Sequence, residues 1–231
     1  MEINDRFLEA VKKLREAESS RNKKVNFDQT IDLIVNLKEF DVRKEAFNIF
    51  IQVPYKIKDT KVVGFFEKNN NLNEIIKKDD FGRYKEKKDI KKLVRDYDFF
   101  ISNAKLMPAV ATAFGRVLGP VGKMPSPQLG IVSSEDENVV KEVLDKINTN
   151  IRIRVKESSI KVGVAKASLD DDKIVENVIA VYEKILETLP RKIDNVKNIK
   201  IKFTMGKPVD VSLRWMLVKI LLDWKRSKSK I

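Results

Sequence analysis

A chain of 231 residues, 42% of them hydrophobic, can bury one sizeable core or two modest ones and is not of disordered composition. It has no cysteine and no histidine, which excludes disulfides and thiolate sites and removes both the usual general base near neutral pH and the commonest metal ligand. The 47 Lys+Arg exceed the 34 Asp+Glu to leave +13, a charge that attracts polyanions such as nucleic acid; the competing reading is a soluble protein that is merely rich in lysine.

The charged N-terminus carries no apolar signal segment, and no apolar run is long enough to span a bilayer, so a cytoplasmic protein with no membrane partner is expected. Ile3, Phe7, Val11 and Leu14 recur at helical spacing and predict an amphipathic helix over 3–17. A polar, basic link, SSRNKKVN (19–26), follows. Asp28 is placed to cap a second helix carrying Ile31, Ile34, Val35 and Leu37. AFNIFIQVP (46–54) alternates and ends in proline, the pattern of a strand. KVVGFF (61–66) and DFFIS (98–102) are short apolar runs typical of buried parallel strands, with helices expected around 87–96, over 104–119 and over 135–147. NNNLN (69–73) reads as a surface turn. Strand–helix alternation across 61–149 suggests a small parallel α/β unit.

After Asn150 the pattern changes. IRIRV (151–155) and SIKVGVAKA (159–167) read as strands, and Ser168 with Asp171 fits a capping box for a helix over 172–189 that stops at Pro190. NIKIKFTMG (198–206) alternates, with Ile199, Ile201 and Phe203 on one side and Lys200, Lys202 and Thr204 on the other. Leu213, Met216, Leu217, Ile220, Leu221 and Trp224 form a helical apolar stripe before the basic tail KRSKSK; core packing is its simplest reading. The segments 28–54 and 159–205 are each too small to bury a core alone. A split α+β domain I (1–60 and 150–231) with an inserted Rossmann-like α/β domain II (61–149) is therefore preferred over two consecutive domains cut near 150.

LGPVGKMPSPQLG (118–130) holds three of the eight glycines and three of the seven prolines. A phosphate-binding P-loop fails: Val117 stands where its first glycine belongs and Met124 where its hydroxyl belongs, and the loop closes a helix rather than opening one. Gly115, Gly119 and Gly122 are wrongly spaced for a dinucleotide fingerprint. A structural turn or a nucleic-acid-facing loop remains. Gly119 would end the helix in a left-handed conformation, and Gly122 would let the backbone approach a partner between Arg116 and Lys123.

FGRVLGPVGKMPSPQLG (114–130) resembles the signature of a large-subunit ribosomal protein family, number one of that subunit, in its archaeal type; this family builds the mobile stalk beside the tRNA exit site. NFDQTIDL (26–33), AKASL (165–169) and FTMG (203–206) resemble further family motifs in the same order, and the similarity covers nearly the whole chain. Val121 departs from the family's usual arginine, and Ala165 from its usual glycine. The resemblance implies an inserted-domain fold. It also implies binding to the stalk region of large-subunit rRNA, movement and release of deacylated tRNA at the exit site, and often repression of the protein's own mRNA. No cofactor, no metal and no enzymatic activity are expected, and the free protein is expected to be a monomer.

In that context the RNA site is expected at Thr204, Met205 and Gly206, with Phe27, Thr30, Lys166 and Ser168 around it. The loop residues Arg116, Gly119, Gly122, Lys123, Met124 and Pro125 would serve the domain junction or a second RNA contact. Each has a plainer reading. Thr204–Gly206 could be a turn with a buried methionine, Phe27 a hydrophobic staple, Thr30 a helix-start side chain and Ser168 a cap. Asp170, Asp171 and Asp172 fit a helix start better than a metal site. A fold of the RNA-recognition-motif type is disfavoured, because the strands at 159–166 and 198–204 lack paired exposed aromatics. Two other classes stay as rivals: a nucleotide-binding enzyme built on the α/β insert, and a basic scaffold without specific RNA.

Overall fold

The computed structural model describes residues 3–20, 25–58, 60–67, 74–84, 86–127 and 129–211. The chain divides into two compact units, Met1–Ile57 with Asn150–Ile231, and Lys58–Thr149.

The first unit is built on a four-stranded antiparallel sheet. Its strands are β1 (Thr30–Leu37), β8 (Ser159–Lys166), β9 (Val196–Phe203) and β10 (Val209–Val211), in the order β10-β9-β1-β8. The two long helices α1 (Ile3–Ser19) and α6 (Asp171–Thr188) pack on one face. Phe7, Ala10, Val11 and Leu14 give α1 a buried stripe, while Ile174, Val178, Val181, Tyr182 and Ile185 do the same for α6. They meet Ile31, Leu33 and Val35 of β1 and Ile199, Ile201 and Phe203 of β9, all buried. Full burial of each such aliphatic stabilises the fold by about 1.5–3 kcal/mol over exposure. A separate two-stranded ribbon pairs β2 (Asn48–Gln52) with β7 (Asn150–Arg154), and a short helix α2 (Val42–Glu45) precedes it.

The helix expected after Asp28 is instead strand β1. TIDLIVNL buries alternate residues, Ile31, Leu33, Val35 and Leu37, and turns Thr30, Asp32, Ile34 and Asn36 to the other face. Its β-branched side chains suit a central strand, and β8 and β9 pair with both its edges. The capping box at Ser168 does not form. Asp170 is the N-cap of α6, without a side-chain cap bond, and Ser168 bonds elsewhere.

The second unit is a parallel sheet of β3 (Val62–Phe65), β4 (Glu74–Ile76), β5 (Phe99–Asn103) and β6 (Ile131–Val132), in the order β4-β3-β5-β6. Helices α3 (Lys87–Asp96) and α4 (Met107–Val121) cover one face around Phe65, Phe100 and Phe114. Helix α5 (Glu137–Thr149) covers the other around Val62, Phe66 and Ile101. Strands buried on both faces are why KVVGFF and DFFIS read as continuous apolar runs. The chain is thus mixed α/β, made of an antiparallel α+β unit and a three-layer Rossmann-like one.

Helix α4 does not stop at Gly119. It runs through Pro120, in its last turn, and closes at Gly122, whose φ of 78° is left-handed; the Gly122 N–H donates to the Leu118 and Gly119 carbonyls. The apolar stripe and basic tail beyond Val211, the NNNLN turn and the middle of the 19–26 link lie outside the described residues. Among the described residues no helix is long and apolar enough to cross a membrane.

Candidate nucleic-acid interface

Three segments far apart in sequence meet at one end of the four-stranded sheet. They are the entry to β1 (Phe27–Thr30), the exit from β8 (Lys166–Ser168) and the turn after β9 (Thr204–Gly206). Antiparallel pairing sets this up: Thr30 lies opposite Lys166, and Ile31 opposite Phe203. The Thr30 carbonyl then accepts two hydrogen bonds from Thr204, from its N–H at 3.0 Å and its hydroxyl at 3.1 Å. Asp28 ties the β8 end. Its carboxylate accepts from the Ser168 N–H at 3.1 Å and hydroxyl at 2.9 Å, and its carbonyl accepts from the Lys166 ammonium at 3.1 Å.

At the hub sits Gln29, 5% exposed. Its side-chain N–H donates to Glu18 Oε1 at 2.6 Å, its side-chain oxygen accepts from the Met205 N–H at 3.1 Å, and its carbonyl accepts from the Ala167 N–H at 2.8 Å. Glu18 and Gln29 were not anticipated from the sequence, because a hydrogen bond between remote segments leaves no local pattern. Asp28 was singled out, but for a helix cap that does not exist.

Over this bonded base the apolar side chains of Phe27 and Met205 stand 56% and 54% exposed. Neither the staple reading of Phe27 nor the buried-methionine reading of Met205 holds. A groove of about 510 Å³ lies beside Met205, between the last turns of α1 and the turn after β9, with Leu14, Ala17, Glu18, Phe203 and Lys207 in its walls. Gly206 abuts both: a Cβ there would stand 3.2 Å from Phe203 Cβ and 3.6 Å from Glu18 Oε2.

The polar atoms that remain define the chemistry. A carbonyl cannot donate, so the Thr204 hydroxyl proton is spent on Thr30 and only its lone pairs are free. The same holds for Ser168 against the Asp28 carboxylate. Both hydroxyls can therefore accept a hydrogen bond from a ribose 2′-hydroxyl or a base amino group but offer nothing to a phosphate. Lys166 keeps N–H donors beyond the one on Asp28 and is, of these three groups, the one able to donate to an anion. Ala165, where the family usually has glycine, is fully buried opposite Ile31 and lies beneath this surface rather than on it.

The glycine- and proline-rich loop spends its groups differently. Lys123 was expected beside an outward surface, but its ammonium donates at 2.6 Å to both the Val94 and Tyr97 carbonyls, satisfying the end of α3. Burial holds its pKa below the ordinary lysine value, against the opposing pull of Asp98, and the nearby Lys58 adds to the lowering. Pro125 is buried, while Arg116 and Val121 are exposed.

The enzyme alternative meets an obstacle at the carboxyl ends of the parallel strands, where such sheets hold nucleotides. The Glu135 carboxylate already occupies the donors there, accepting from the Glu67 N–H at 3.2 Å and from Asn103 Nδ2 at 2.7 Å. A phosphate would meet a negative charge.

Residues 14–207 match the model of the ribosomal protein L1p/L10e family. The chain is 32% identical over 221 residues to the large ribosomal subunit protein uL1 of Methanothermobacter thermautotrophicus, covering 90% of this chain and 100% of that protein. It is 32% identical over 217 residues to the protein of the same name from Thermococcus kodakarensis (89% and 96%), and 34% over 224 residues to that from Thermoplasma volcanium (91% and 97%). A signature loop, a split α+β unit, an inserted parallel α/β unit and similarity along nearly the whole chain agree: the chain belongs to the ribosomal protein L1p/L10e family and is a structural ribosomal protein, not an enzyme.

Proposed function

We propose that this chain works in the large ribosomal subunit, in the cytoplasm, by binding the stalk region of large-subunit rRNA through the end of its four-stranded sheet, with Thr204, Met205 and Gly206 at the centre. The observation that carries the reading is the pair of hydrogen bonds from Thr204 to the Thr30 carbonyl. They lock the turn before any ligand arrives and leave the hydroxyl with accepting capacity only. Such a surface suits the 2′-hydroxyl edge of an RNA shallow groove. Phe27 and Met205 exclude water from those bonds, Gly206 allows close approach of the sugar, and Lys166 adds a phosphate contact. Little ordering is needed on binding, so a few desolvated contacts dominate the affinity.

By family resemblance the same activity serves movement and release of deacylated exit-site tRNA, and a similar site on the protein's own mRNA serves repression. The unit Lys58–Thr149 then modulates affinity or makes a second RNA or tRNA contact. Crosslinking to total RNA followed by sequencing of the bound fragments identifies these targets.

The direct test is filter binding to a stalk-region rRNA fragment, with folding checked by circular dichroism. Thr204→Ala weakens binding by about 1–3 kcal/mol, the range for a polar partner left unpaired, without changing the salt dependence. Gly206→Val weakens it more, because a branched side chain presses on Phe203 and blocks approach. If both folded variants bind as wild type does, the site is elsewhere.

A further inference from the structure

The β2–β7 ribbon carries a feature that the sheet-end site leaves unused. Register pairs Asn48 with Arg154, Phe50 with Arg152 and Gln52 with Asn150. Residues two apart share a face, so these six side chains lie together on one side of the ribbon. Ile51 and Ile153, on the opposite side, are buried in the core. The outward face is thus an aromatic ring among amides and two guanidinium groups.

Arg152 is fixed over that ring, its guanidinium carbon 5.5 Å from the Phe50 centroid. The Asn48 side-chain oxygen accepts from Arg152 Nε at 2.9 Å, which leaves the terminal guanidinium nitrogens without a hydrogen-bond partner among the described residues. Arg152 and Arg154 are both exposed, and among the described residues neither forms an ion pair. Partial desolvation of its guanidinium, and then the like charge of Arg154, hold the Arg152 pKa below the ordinary arginine value. Two neighbouring cations with no carboxylate between them mark a place for an external anion. An aromatic ring beneath one of them, with amides alongside, fits an anion that also carries flat bases.

We propose that this face binds an unpaired RNA segment, one base stacking on the Phe50–Arg152 pair while Arg152 and Arg154 hold the adjoining phosphates. Stacking on an aromatic or guanidinium plane needs a base freed from its helix, so the occupant is single-stranded RNA and not a duplex. The inference rests on the reading of this chain as an RNA-binding protein, but not on the sheet-end site.

The probe is a uridine oligonucleotide about twelve nucleotides long, within the usual span of single-strand sites, bound to the full chain. Phe50→Leu keeps an apolar side chain yet removes the ring, and weakens binding about fivefold to a hundredfold. Arg152→Lys keeps the charge and the exposed position but loses the planar fork, and weakens binding severalfold without altering the salt slope. Arg154→Ala lowers that slope by about 0.7, one phosphate on a single strand. Ultraviolet crosslinking attaches the oligonucleotide to the peptide containing Phe50, and an oligonucleotide of the same length lacking bases binds to wild type as weakly as uridine does to Phe50→Leu. Thr204→Ala leaves all of this unchanged while reducing affinity for the structured rRNA fragment, so each site can fail without the other. The proposal is overturned if Phe50→Leu and Arg152→Lys, both folded, bind the oligonucleotide as wild type does. It is also overturned if the base-free strand or an acidic peptide of equal charge binds as tightly as uridine, which would make the face a simple anion patch.

Discussion

The loop at 118–130 and the sheet-end patch at Thr204 differ in the direction their polar groups face. In the loop, Lys123 turns inward to the Val94 and Tyr97 carbonyls, the Gly122 N–H closes α4, and the Gly130 carbonyl accepts from the Ser102 N–H at 2.8 Å. At the patch the internal bonds are equally complete, yet Phe27 and Met205 stand exposed above them and two hydroxyls keep their lone pairs outward. A dense run of glycine and proline therefore signals how tightly a backbone path is constrained. It does not by itself mark a surface with free polar groups. The patch is assembled from short pieces, none conspicuous alone.

The strongest way to break this contrast is to damage the loop. Gly130 has φ +130°, and a Cβ there would stand 3.0 Å from the Phe100 carbonyl oxygen and 3.1 Å from the Phe99 ring. Gly130→Val combines a backbone conformation that β-branched residues avoid with a clash against strand β5. It should destabilise the Lys58–Thr149 unit by more than about 3 kcal/mol in denaturant unfolding. Affinity for the structured rRNA fragment should change little at temperatures where the first unit stays folded. Loss of that affinity in proportion to the unfolding would show that the loop side contributes to binding.

The next test strikes the core of the first unit instead. Tyr182 is buried on α6 against Phe7, and its hydroxyl has no hydrogen-bond partner among the described residues. Burial raises its pKa from 10.0 to about 12. Below the unfolded value both states are neutral and stability is independent of this group. As pH rises from 10 towards 12 the unfolded chain releases a proton that the folded one retains, and stability falls by roughly 2–3 kcal/mol. Tyr182→Phe should abolish that alkaline loss. It should also leave the protein equally or slightly more stable at neutral pH, because it removes an unpaired buried hydroxyl. Thermal melts across that range decide, and RNA affinity at neutral pH should be untouched.

How much of this was legible in sequence follows from which signals are local. The inserted unit was legible because its strands are buried on both faces and read as unbroken apolar runs. The β1 strand was misread because TIDLIVNL satisfies two periods at once. Ile31, Ile34 and Val35 fit a helix, while Ile31, Leu33, Val35 and Leu37 fit a strand, and the choice is made by β8 and β9, more than a hundred residues away. The candidate site residues Thr204, Met205, Gly206, Thr30, Lys166, Ser168 and Phe27 were named through family motifs, and the structure brings all of them to one sheet end. Gln29 and Glu18, which join those segments, had no motif to reveal them.

A smaller effect is expected when the loop loses its inward lysine. Lys123→Met keeps the length and the apolar stem but frees two carbonyls at the end of α3. It should cost the Lys58–Thr149 unit about 1–2 kcal/mol, as lost charge-assisted hydrogen bonds that water partly replaces. The salt dependence of RNA binding should not change, since an ammonium already bonded at 2.6 Å to two carbonyls is poorly placed to neutralise a phosphate as well. A reduced slope would instead show that Lys123 reaches RNA.

The smallest effect belongs to Lys166, and it sharpens the contrast most directly. Both lysines donate to backbone carbonyls, but Lys166 makes one such bond, at 3.1 Å to Asp28, where Lys123 makes two shorter ones. Lys166 also sits at the rim of the patch, opposite Thr30, and keeps donors beyond its one bond to Asp28. Lys166→Ala should therefore leave unfolding within about 0.5 kcal/mol of wild type, as for an ordinary surface position. It should reduce the log–log salt slope of rRNA-fragment binding by about 0.7–0.9, the release of counterions from one phosphate. Thr204→Ala, at the same patch, should lower affinity with the slope unchanged, because an accepting hydroxyl neutralises nothing. If the two variants show the same slope, Lys166 serves only to tie the β8 end to Asp28, and the phosphate contact must come from another cation at the sheet end, with Lys207 the next to substitute.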